Sequence, residues 1–297
     1  MYLTGFADEA ASDLPGQIRA TQELGWRWIE SRAVDGTNLH NLSDQAFAVV
    51  CDQLQAAGIG VNCFGSALAN WSKDITKPFA DDWAEAQRAA ERMRRLDCTQ
   101  IRVMSWPILA GRGPQDQLVD ERVRRLREFV ALFAAQGATV LHENCHNYGG
   151  MGADFTLRLL DQIPDLKLVF DTGNPVFTDD YRLVEPRAKQ SSWDFYRQVR
   201  EHVAYIHIKD GVWDPVPAAA GVNGHTWPGE GQGDVRAVVK DLLARGYDGG
   251  FSMEPHLAVV AHDPRFTAPE QIKFANYVEY GQRFMRLLAD LGRVVKS

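Results

Sequence analysis

Residues 138–174 read ATVLHENCHNYGGMGADFTLRLLDQIPDLKLVFDTGN and contain the clearest structural pattern of the chain. Apolar and β-branched runs near 138–143 and 166–171 predict two short buried strands. Between them, apolar residues recur three and four positions apart over 154–163, which predicts a helix. A strand, a helix and a second strand in this order are typical of a βαβ unit, in which the two strands run parallel.

The alternation of strand and helix repeats along the whole chain. Eight strands are predicted near 2–7, 26–30, 59–64, 99–105, 138–143, 166–171, 204–209 and 250–254. Eight alternations, with no Ser/Gly linker and no change in composition, predict the α/β class and a single (β/α)8 TIM barrel that covers 1–297 as one domain. An open doubly wound sheet is the alternative, but the GxGxxG loop that usually follows an early strand of that fold is absent.

The composition is that of an ordinary water-soluble globular protein, with 45% apolar and 24% charged residues. The formal charge of −7 gives no attraction for polyanions, so no nucleic-acid partner is expected. The four cysteines have no CxxC spacing and are too sparse for a disulfide scaffold, which favours a reduced, cytoplasmic setting. No apolar run approaches the length of a membrane span and the N-terminal stretch lacks a signal-peptide pattern, so no membrane partner is expected.

Four predicted strands end in a polar side chain. These side chains are Glu143 in VLHEN, Asp171 in LVFDTGN, His207 in YIHIKD and Glu254 in FSMEP. The carboxyl ends of the strands meet at one face of a TIM barrel, where the reaction sites of such barrels lie. A charge is costly to bury unless it is paired or bound to a metal, so four such residues at matching positions predict a shared site.

The chemistry of these four side chains suits a metal ion. Three carboxylates and one imidazole offer hard oxygen donors with one borderline nitrogen, a set suited to Mn²⁺, Mg²⁺ or Co²⁺ and tolerable to Zn²⁺. A lone acid at a strand end is more often a helix cap or an ion-pair partner, and a lone buried histidine is more often only hydrogen-bonded. Taken as a set, they predict one divalent metal ion, with Mn²⁺ favoured, on the ligands Glu143, Asp171, His207 and Glu254.

Six further side chains are candidates for binding a substrate: His146, Asn174, Lys209, Glu30, Trp213 and Trp227. His146 and Asn174 each follow a ligand carboxylate by three residues, but a surface histidine and a turn asparagine would look the same. Lys209 shares its strand face with His207, and it either neutralises a substrate oxygen or pairs with a carboxylate. Glu30 ends the second strand and has the two interpretations of any strand-end acid.

The stretch about 210–233 is rich in Gly and Pro and includes both tryptophans. A connection of this length in a compact domain is often a functional lid, and an aromatic ring packs well on the apolar face of a sugar. The alternative is an irregular loop held in place by the two rings. The lid is favoured.

The chain resembles the xylose isomerase-like TIM barrel superfamily, a group labelled sugar phosphate isomerases/epimerases. The matching segments are GFADEA, GWRWIE, HEN, FDTGNP, HIKD, MEP and PGEGQGD, which extend over most of the chain. The resemblance implies one divalent metal on the four strand-end residues. In the ketose 3-epimerases of this superfamily the residues matching Glu143 and Glu254 are the acid/base pair, so these two are the expected catalytic residues.

Two departures from the ketose 3-epimerase pattern bear on the reaction. Those enzymes follow the metal histidine with Gly-Glu-x-x-Arg, whereas this chain continues Ile208-Lys209-Asp210, a form closer to inosose dehydratases and generic sugar isomerase relatives. They often have a histidine where this chain has Asn174. The apurinic endonucleases of the superfamily need three metals and histidines that are missing here, so a DNA-repair role is not expected.

The favoured function is a divalent-metal-dependent isomerase or epimerase that acts on a keto-sugar or polyol through a metal-stabilised enediolate. The alternative is a metal-dependent lyase or dehydratase on a keto-sugar or keto-inositol, which forms the same enediolate and then expels a leaving group. A catalytically silent sugar-binding protein is the third candidate. Without a P-loop or a basic cluster, a substrate without phosphate is favoured. The oligomeric state is left open, a homo-oligomer included.

Overall fold

The computed structural model describes the backbone of residues 1–213, 224–260 and 263–293, and the side chains of these residues except 259–267. Eight parallel strands form a nearly closed barrel: β1 Tyr2–Gly5, β2 Trp28–Ser31, β3 Gly60–Gly65, β4 Gln100–Val103, β5 Thr139–Glu143, β6 Lys167–Asp171, β7 Val203–Ile208 and β8 Gly250–Met253. From β2 to β8 each strand pairs with the next, and β8 pairs with β1. A parallel bridge between Phe6 and Glu30 joins the ends of β1 and β2. The predicted TIM barrel is confirmed.

Helices follow the strands and surround the barrel: α1 Leu14–Glu23, α2 Asp44–Ala57, α3 Ala80–Arg95, α4 Val119–Ala134, α5 Ala153–Gln162, α6 Ser192–Val199, α7 Val235–Ala244 and α8 Glu270–Asp290. Local signals fix their ends, as α2 illustrates. Ser43 Oγ accepts a hydrogen bond from the Ala46 N–H at 3.2 Å, and Gly58 ends the helix in the left-handed conformation. None of the helices in the described ranges is long and apolar enough to cross a membrane.

Shorter elements lie in the connecting loops. They are the one-turn helix Asn174–Phe177, the 3-10 helices Ala7–Glu9, Leu39–Asn41, Gly149–Met151 and Arg200–His202, and two antiparallel ladders, Ala33–Val34 with Thr37–Asn38 and Val259–Val260 with Asp263–Thr267. Several of these follow the carboxyl end of a strand, where loops of a TIM barrel form the site.

The main apolar core lies between the strands and the helices. Phe170 on β6, for example, places its ring centroid 5.8 Å from that of Phe195 and 5.5 Å from that of Tyr196, both on α6. Packing of this kind removes a large apolar area from water, which is the main driving force of folding. The helices are thereby held against the barrel, and the strand ends keep a fixed geometry.

A layer of polar side chains lies inside the barrel. Thr4 Oγ1 donates to Asn62 Oδ1 at 2.7 Å, and Asn62 Nδ2 donates to the Tyr205 hydroxyl at 2.9 Å. The Tyr205 hydroxyl and Ser252 Oγ both donate to Glu30 Oε2, at 2.9 and 2.6 Å. All five side chains are buried. Because these buried groups satisfy one another, the layer holds Glu30 in one position.

Phe6, directly after β1, lies among charged side chains. The guanidinium carbons of Arg32 and Arg102 lie 4.5 and 5.4 Å from its ring centroid, within the range of cation–π attraction. The imidazole of His207 meets the same ring edge-on, with centroids 5.0 Å apart. Gly65 at the end of β3 makes room for the ring, since a Cβ atom there would lie 2.4 Å from Phe6 Cε1.

We predict that Gly65→Ala lowers the free energy of unfolding by about 1–3 kcal/mol, because the added methyl group forces the Phe6 ring out of position. Urea unfolding followed by circular dichroism measures the loss. Gly113→Ala is the matched control, since a Cβ atom at position 113 meets nothing within 4 Å. Equal free energies of unfolding for the two variants would contradict this account of Gly65.

Candidate metal centre

The structure brings together the four strand-end residues predicted as ligands. Glu143 ends β5, Asp171 ends β6, and Glu254 directly follows β8. His207 lies in β7, next to Asp171 of the neighbouring strand β6. One ligand atom of each lies within 4.8 Å of those of the other three. His207 Nδ1 lies 3.3 Å from Glu254 Oε2 and 3.9 Å from both Glu143 Oε1 and Asp171 Oδ2. All four side chains are buried.

Three of the facing atoms have no hydrogen bond within the described part of the chain: Asp171 Oδ2, His207 Nδ1 and Glu254 Oε2. Buried polar atoms without such a bond are costly, and they call for an explanation such as an ion or a ligand. Three carboxylates and one imidazole nitrogen suit a hard or borderline divalent cation. The residues present therefore fit a metal ion by the convergence of their buried ligand atoms and by their donor chemistry.

Two basic side chains reach this cluster. Lys209 Nζ lies 2.9 Å from Asp171 Oδ2 and 3.3 Å from Glu254 Oε2. Arg102 Nε lies 3.2 Å from Glu143 Oε2. Lys209 is thus an ion-pair partner of two candidate ligands, which is one of the two roles expected for it. All three ligand carboxylates have a basic group beside them.

Burial and neighbouring charges shift the pKa values of the site. Burial raises the pKa of Asp171 to about 7, although Lys209 opposes the shift. Burial also disfavours the charged form of Glu254, but Lys209 and His207 outweigh it and hold the pKa of Glu254 well below its usual range. For His207, burial would lower the pKa, but Glu30 and Glu254 raise it to about 10. Without a bound cation, positive charge on His207 and Lys209 therefore balances the carboxylates.

Glu30 lies behind His207. Its Oε2 and Oε1 atoms lie 3.1 and 3.2 Å from His207 Nε2, the ring nitrogen that points away from the other ligands. Burial would raise the pKa of Glu30, but attraction to His207, aided by Ser252 and Arg102, holds it below its usual value. Glu30 thus contacts a candidate ligand from the barrel interior.

Asn174 and His146, the two loop residues predicted to bind a substrate, differ in their contacts. Asn174 Nδ2 donates to Glu143 Oε1 at 2.8 Å, and its backbone N–H donates to Asp171 Oδ1 at 2.6 Å. Asn174 therefore orients two of the candidate ligands. His146 is exposed on the loop after β5 and has no hydrogen bond to the four ligand residues in the described structure.

The two tryptophans of the Gly/Pro-rich stretch lie apart from the ligands. Trp213 is 43% exposed, and Lys189 Nζ lies 4.1 Å from its ring centroid. Trp227 is half-buried and packs beside Tyr280 and Arg283 of α8, at 6.2 and 4.2 Å from its ring centroid. Of the predicted lid over 210–233, residues 214–223 lie outside the described residues, so the lid stays a prediction.

Asp210 organises the described part of that stretch. Its Oδ1 accepts hydrogen bonds from the N–H groups of Gly211 and Gly233 at 2.9 and 2.8 Å, and its Oδ2 accepts from Gly229 and Gly231 at 2.8 and 3.0 Å. Burial raises the pKa of Asp210, and the four N–H groups oppose this by stabilising the carboxylate. A Cβ atom at position 231 would lie 2.4 Å from Asp210 Oδ1, so the segment PGEGQGD needs glycine to wrap around this carboxylate.

A second group of charges surrounds the other oxygen of Glu254. His256 Nε2 and Arg32 Nη1 lie 3.4 and 3.6 Å from Glu254 Oε1. His256 Nδ1 lies 2.9 Å from Glu9 Oε1, and Arg32 Nε lies 2.8 Å from Asp8 Oδ2. The loops after β1, β2 and β8 thus hold Glu254 from the side away from Asp171.

The sequence pattern did not point to Arg102, Glu9, Arg32 or His256. A signal existed for Arg102, because a charged residue inside the buried strand QIRV must find a partner. The other three meet through contacts between loops that are distant in sequence. Periodicity within a single element predicts no such contact.

The chain is similar to known proteins that have this architecture. A family model described as xylose isomerase-like TIM barrel matches residues 18–278. Similar solved structures include the probable 3-DHS dehydratase AsbF involved in petrobactin synthesis from Bacillus anthracis, with 18% identity, a TM-score of 0.66, and coverage of 93% of this chain and 97% of that chain. No curated protein matches the chain in sequence.

Two further structures have the same fold. A xylose isomerase-like TIM barrel protein from Mycobacterium smegmatis in complex with magnesium has 18% identity and a TM-score of 0.67, with 97% of each chain covered. A D-tagatose 3-epimerase-like protein has 14% identity and a TM-score of 0.67, with 98% of each chain covered. At these identities the likeness shows the fold alone.

We predict that Asp210→Asn loosens the segment 229–233. An amide has one oxygen where the carboxylate has two, so about two of the four N–H groups lose their acceptor, at a cost of about 2–3 kcal/mol. Hydrogen exchange of the Gly229, Gly231 and Gly233 amides should become faster. Asp165→Asn, at an exposed position, is the control. Unchanged protection of all three amides would contradict the role given to Asp210.

Proposed function

The chain belongs to the xylose isomerase-like TIM barrel family, and on this premise we propose that it is a divalent-metal-dependent isomerase or epimerase of a keto-sugar or polyol. One observation supports the proposal most. Three carboxylates and an imidazole converge within 4.8 Å at the carboxyl ends of the strands, and all four side chains are buried. Such barrels have their reaction sites at this face.

Glu143 and Glu254 are the proposed acid/base pair. Each of these carboxylates has a neighbouring polar or basic group at both of its oxygen atoms. Asn174 donates to Glu143 Oε1, and Arg102 lies against Oε2. Lys209 lies beside Glu254 Oε2, and Arg32 beside Oε1. A bound divalent cation would supply a Lewis acid that polarises a substrate carbonyl and makes the neighbouring carbon acidic. This fixed orientation supports the proposal that the two carboxylates remove and return a proton.

We expect the substrate to be uncharged. The carboxylates of the described site are Asp8, Glu9, Glu30, Glu143, Asp171 and Glu254, and the permanently basic groups are Arg32, Arg102 and Lys209. Each basic group is already paired with a carboxylate. A phosphate on the substrate would therefore find no unpaired cation among these residues, whereas sugar hydroxyls can donate to the carboxylates.

The second candidate is a lyase or dehydratase on a keto-sugar or keto-inositol. The position of Lys209 favours it, because its ammonium group reaches the two ligand carboxylates and is a proton donor for a leaving hydroxyl. The similarity of the fold to a probable 3-DHS dehydratase is consistent with this chemistry. Both reactions begin with removal of a proton beside a carbonyl.

The proposal also covers the identity of the metal ion, the location of the protein in the cell and its partner. Mn²⁺ is the proposed metal, with Mg²⁺, Co²⁺ and Zn²⁺ as substitutes that the same donor set accepts. The proposed location is the cytoplasm, because the four cysteines are free in the structure and none has a disulfide partner among the described residues. The proposed partner is a small sugar or polyol.

We predict that the purified chain binds one divalent ion and that Glu143→Gln weakens the affinity roughly 100-fold or more, because a neutral amide replaces a charged oxygen ligand. Titration calorimetry with Mn²⁺ and elemental analysis after dialysis measure both. Glu91→Gln, at an exposed position on α3, removes the same charge away from the site and should bind like the wild type. Equal Mn²⁺ affinities of the Glu143 and Glu91 variants would contradict the assignment of Glu143 as a metal ligand.

We predict that candidate keto-sugars incubated in D₂O with the metal-loaded protein acquire deuterium. Deuterium in an isomeric sugar supports isomerisation or epimerisation, whereas loss of water supports the dehydratase. Glu254→Gln should abolish either product, because it removes a proposed proton-transfer group. Absence of exchange and turnover across a broad panel of neutral sugars, with sugar binding retained, would instead support a catalytically silent sugar-binding protein.

A further inference from the structure

Glu30 contacts a candidate ligand from the side opposite the other carboxylates. Its Oε2 lies 3.1 Å from His207 Nε2, while His207 Nδ1 faces Glu254 Oε2 at 3.3 Å. Glu30 is 0% exposed, so it has no surface that a substrate could contact. Its effect on the site therefore passes through the imidazole.

The partners of Glu30 fix its orientation. The Tyr205 hydroxyl and Ser252 Oγ both donate to Oε2, and the Tyr205 hydroxyl in turn accepts a hydrogen bond from Asn62 Nδ2. These groups come from β7, β8 and β3, so three strands hold one carboxylate. The carboxylate stays against the His207 ring because two donors hold its Oε2 atom in place.

A carboxylate beside Nε2 determines where the imidazole has its proton. A metal ion binds the neutral form of histidine, which has one N–H group, and only the tautomer with that proton on Nε2 can donate to Glu30. In that tautomer the lone pair of Nδ1 points towards Glu143, Asp171 and Glu254. The opposite tautomer would place an N–H group among those ligands and would leave Glu30 facing a lone pair.

We infer that Glu30 is a positioning residue that fixes the Nε2–H tautomer and the ring orientation of His207, and so prepares Nδ1 as a metal ligand. The inference rests on the proposed function, since it assumes that a divalent cation binds beside Nδ1. A carboxylate in this position raises the basicity of a ligand imidazole, and the loss of such a partner typically weakens metal binding 10–100-fold.

Glu30→Gln is the informative variant. Tyr205 and Ser252 both donate at the Oε2 position, so the amide oxygen should occupy it and the NH₂ group should turn towards His207 Nε2. That arrangement favours the Nδ1–H tautomer, which opposes metal binding. We expect Zn²⁺ affinity, measured by competition with a chelator, to fall 10–100-fold. The exchange-protected Nε2–H resonance of His207 in proton–nitrogen NMR spectra should disappear.

Two further variants separate positioning from a general structural effect. Tyr205→Phe removes one of the two donors to Glu30 Oε2, but Ser252 still donates to this oxygen and the carboxylate stays beside His207, so affinity and the Nε2–H resonance should stay close to wild type. Glu30→Asp keeps the charge but shortens the side chain, and it replaces Glu30→Gln if that variant does not fold. Its affinity should lie between those of the wild type and the Gln variant, with the resonance retained.

The outcomes distinguish this inference from the proposed function. Wild-type Zn²⁺ affinity and a retained Nε2–H resonance in Glu30→Gln, or wild-type affinity in Glu30→Asp where the Gln variant does not fold, would overturn the positioning role. Equal losses in Tyr205→Phe and Glu30→Gln would do the same, because a general disturbance of the barrel interior would then explain both. A wild-type protein that shows the resonance but takes up no cation would refute metal dependence and leave the orientation of His207 supported.

Discussion

Several carboxylates are buried together at one end of the barrel, and their charge must be balanced by the surrounding side chains. Like charges a few ångströms apart repel strongly when water is excluded, and each buried charge also loses its hydration. Lys209, Arg102 and Arg32 offset this cost by direct ion pairs, and His207 offsets it through its contacts with Glu30 and Glu254. These basic groups lie on or directly after three strands, β2, β4 and β7, so contacts across the barrel are needed to balance the charge.

The barrel and the position of the four strand-end side chains could be predicted from sequence because both depend on local periodicity. An apolar run that ends in an acid identifies Glu143 and Asp171 without knowledge of any neighbour. The supporting contacts could not be predicted in this way. His256 meets Glu9 across 247 positions of the chain, and this pairing follows from closure of the barrel. Trp227 likewise depends on where its loop turns, which places the ring against α8.

Lys209 and Asp210, which directly follow β7, contact different parts of the protein. Side chains alternate in direction along an extended chain, so Lys209 and Asp210 point to different sides. Lys209 forms an ion pair within the cluster of carboxylates, whereas Asp210 accepts hydrogen bonds from backbone N–H groups of the glycine-rich segment. The dipeptide thus joins the electrostatics of the site to the shape of the loop beside it. A sequence pattern that names only His207 misses this coupling.

The two ends of the stretch after Asp210 are tied to each other in the structure. The Val212 N–H donates to the Gly224 carbonyl oxygen at 2.7 Å, and Gly211 and His225 form an antiparallel bridge. The entropy of closing a loop depends only weakly on its length once its ends are fixed. The barrel therefore offers a graft point here: a longer or different segment can be inserted between these anchors while the strand ends beneath keep their places.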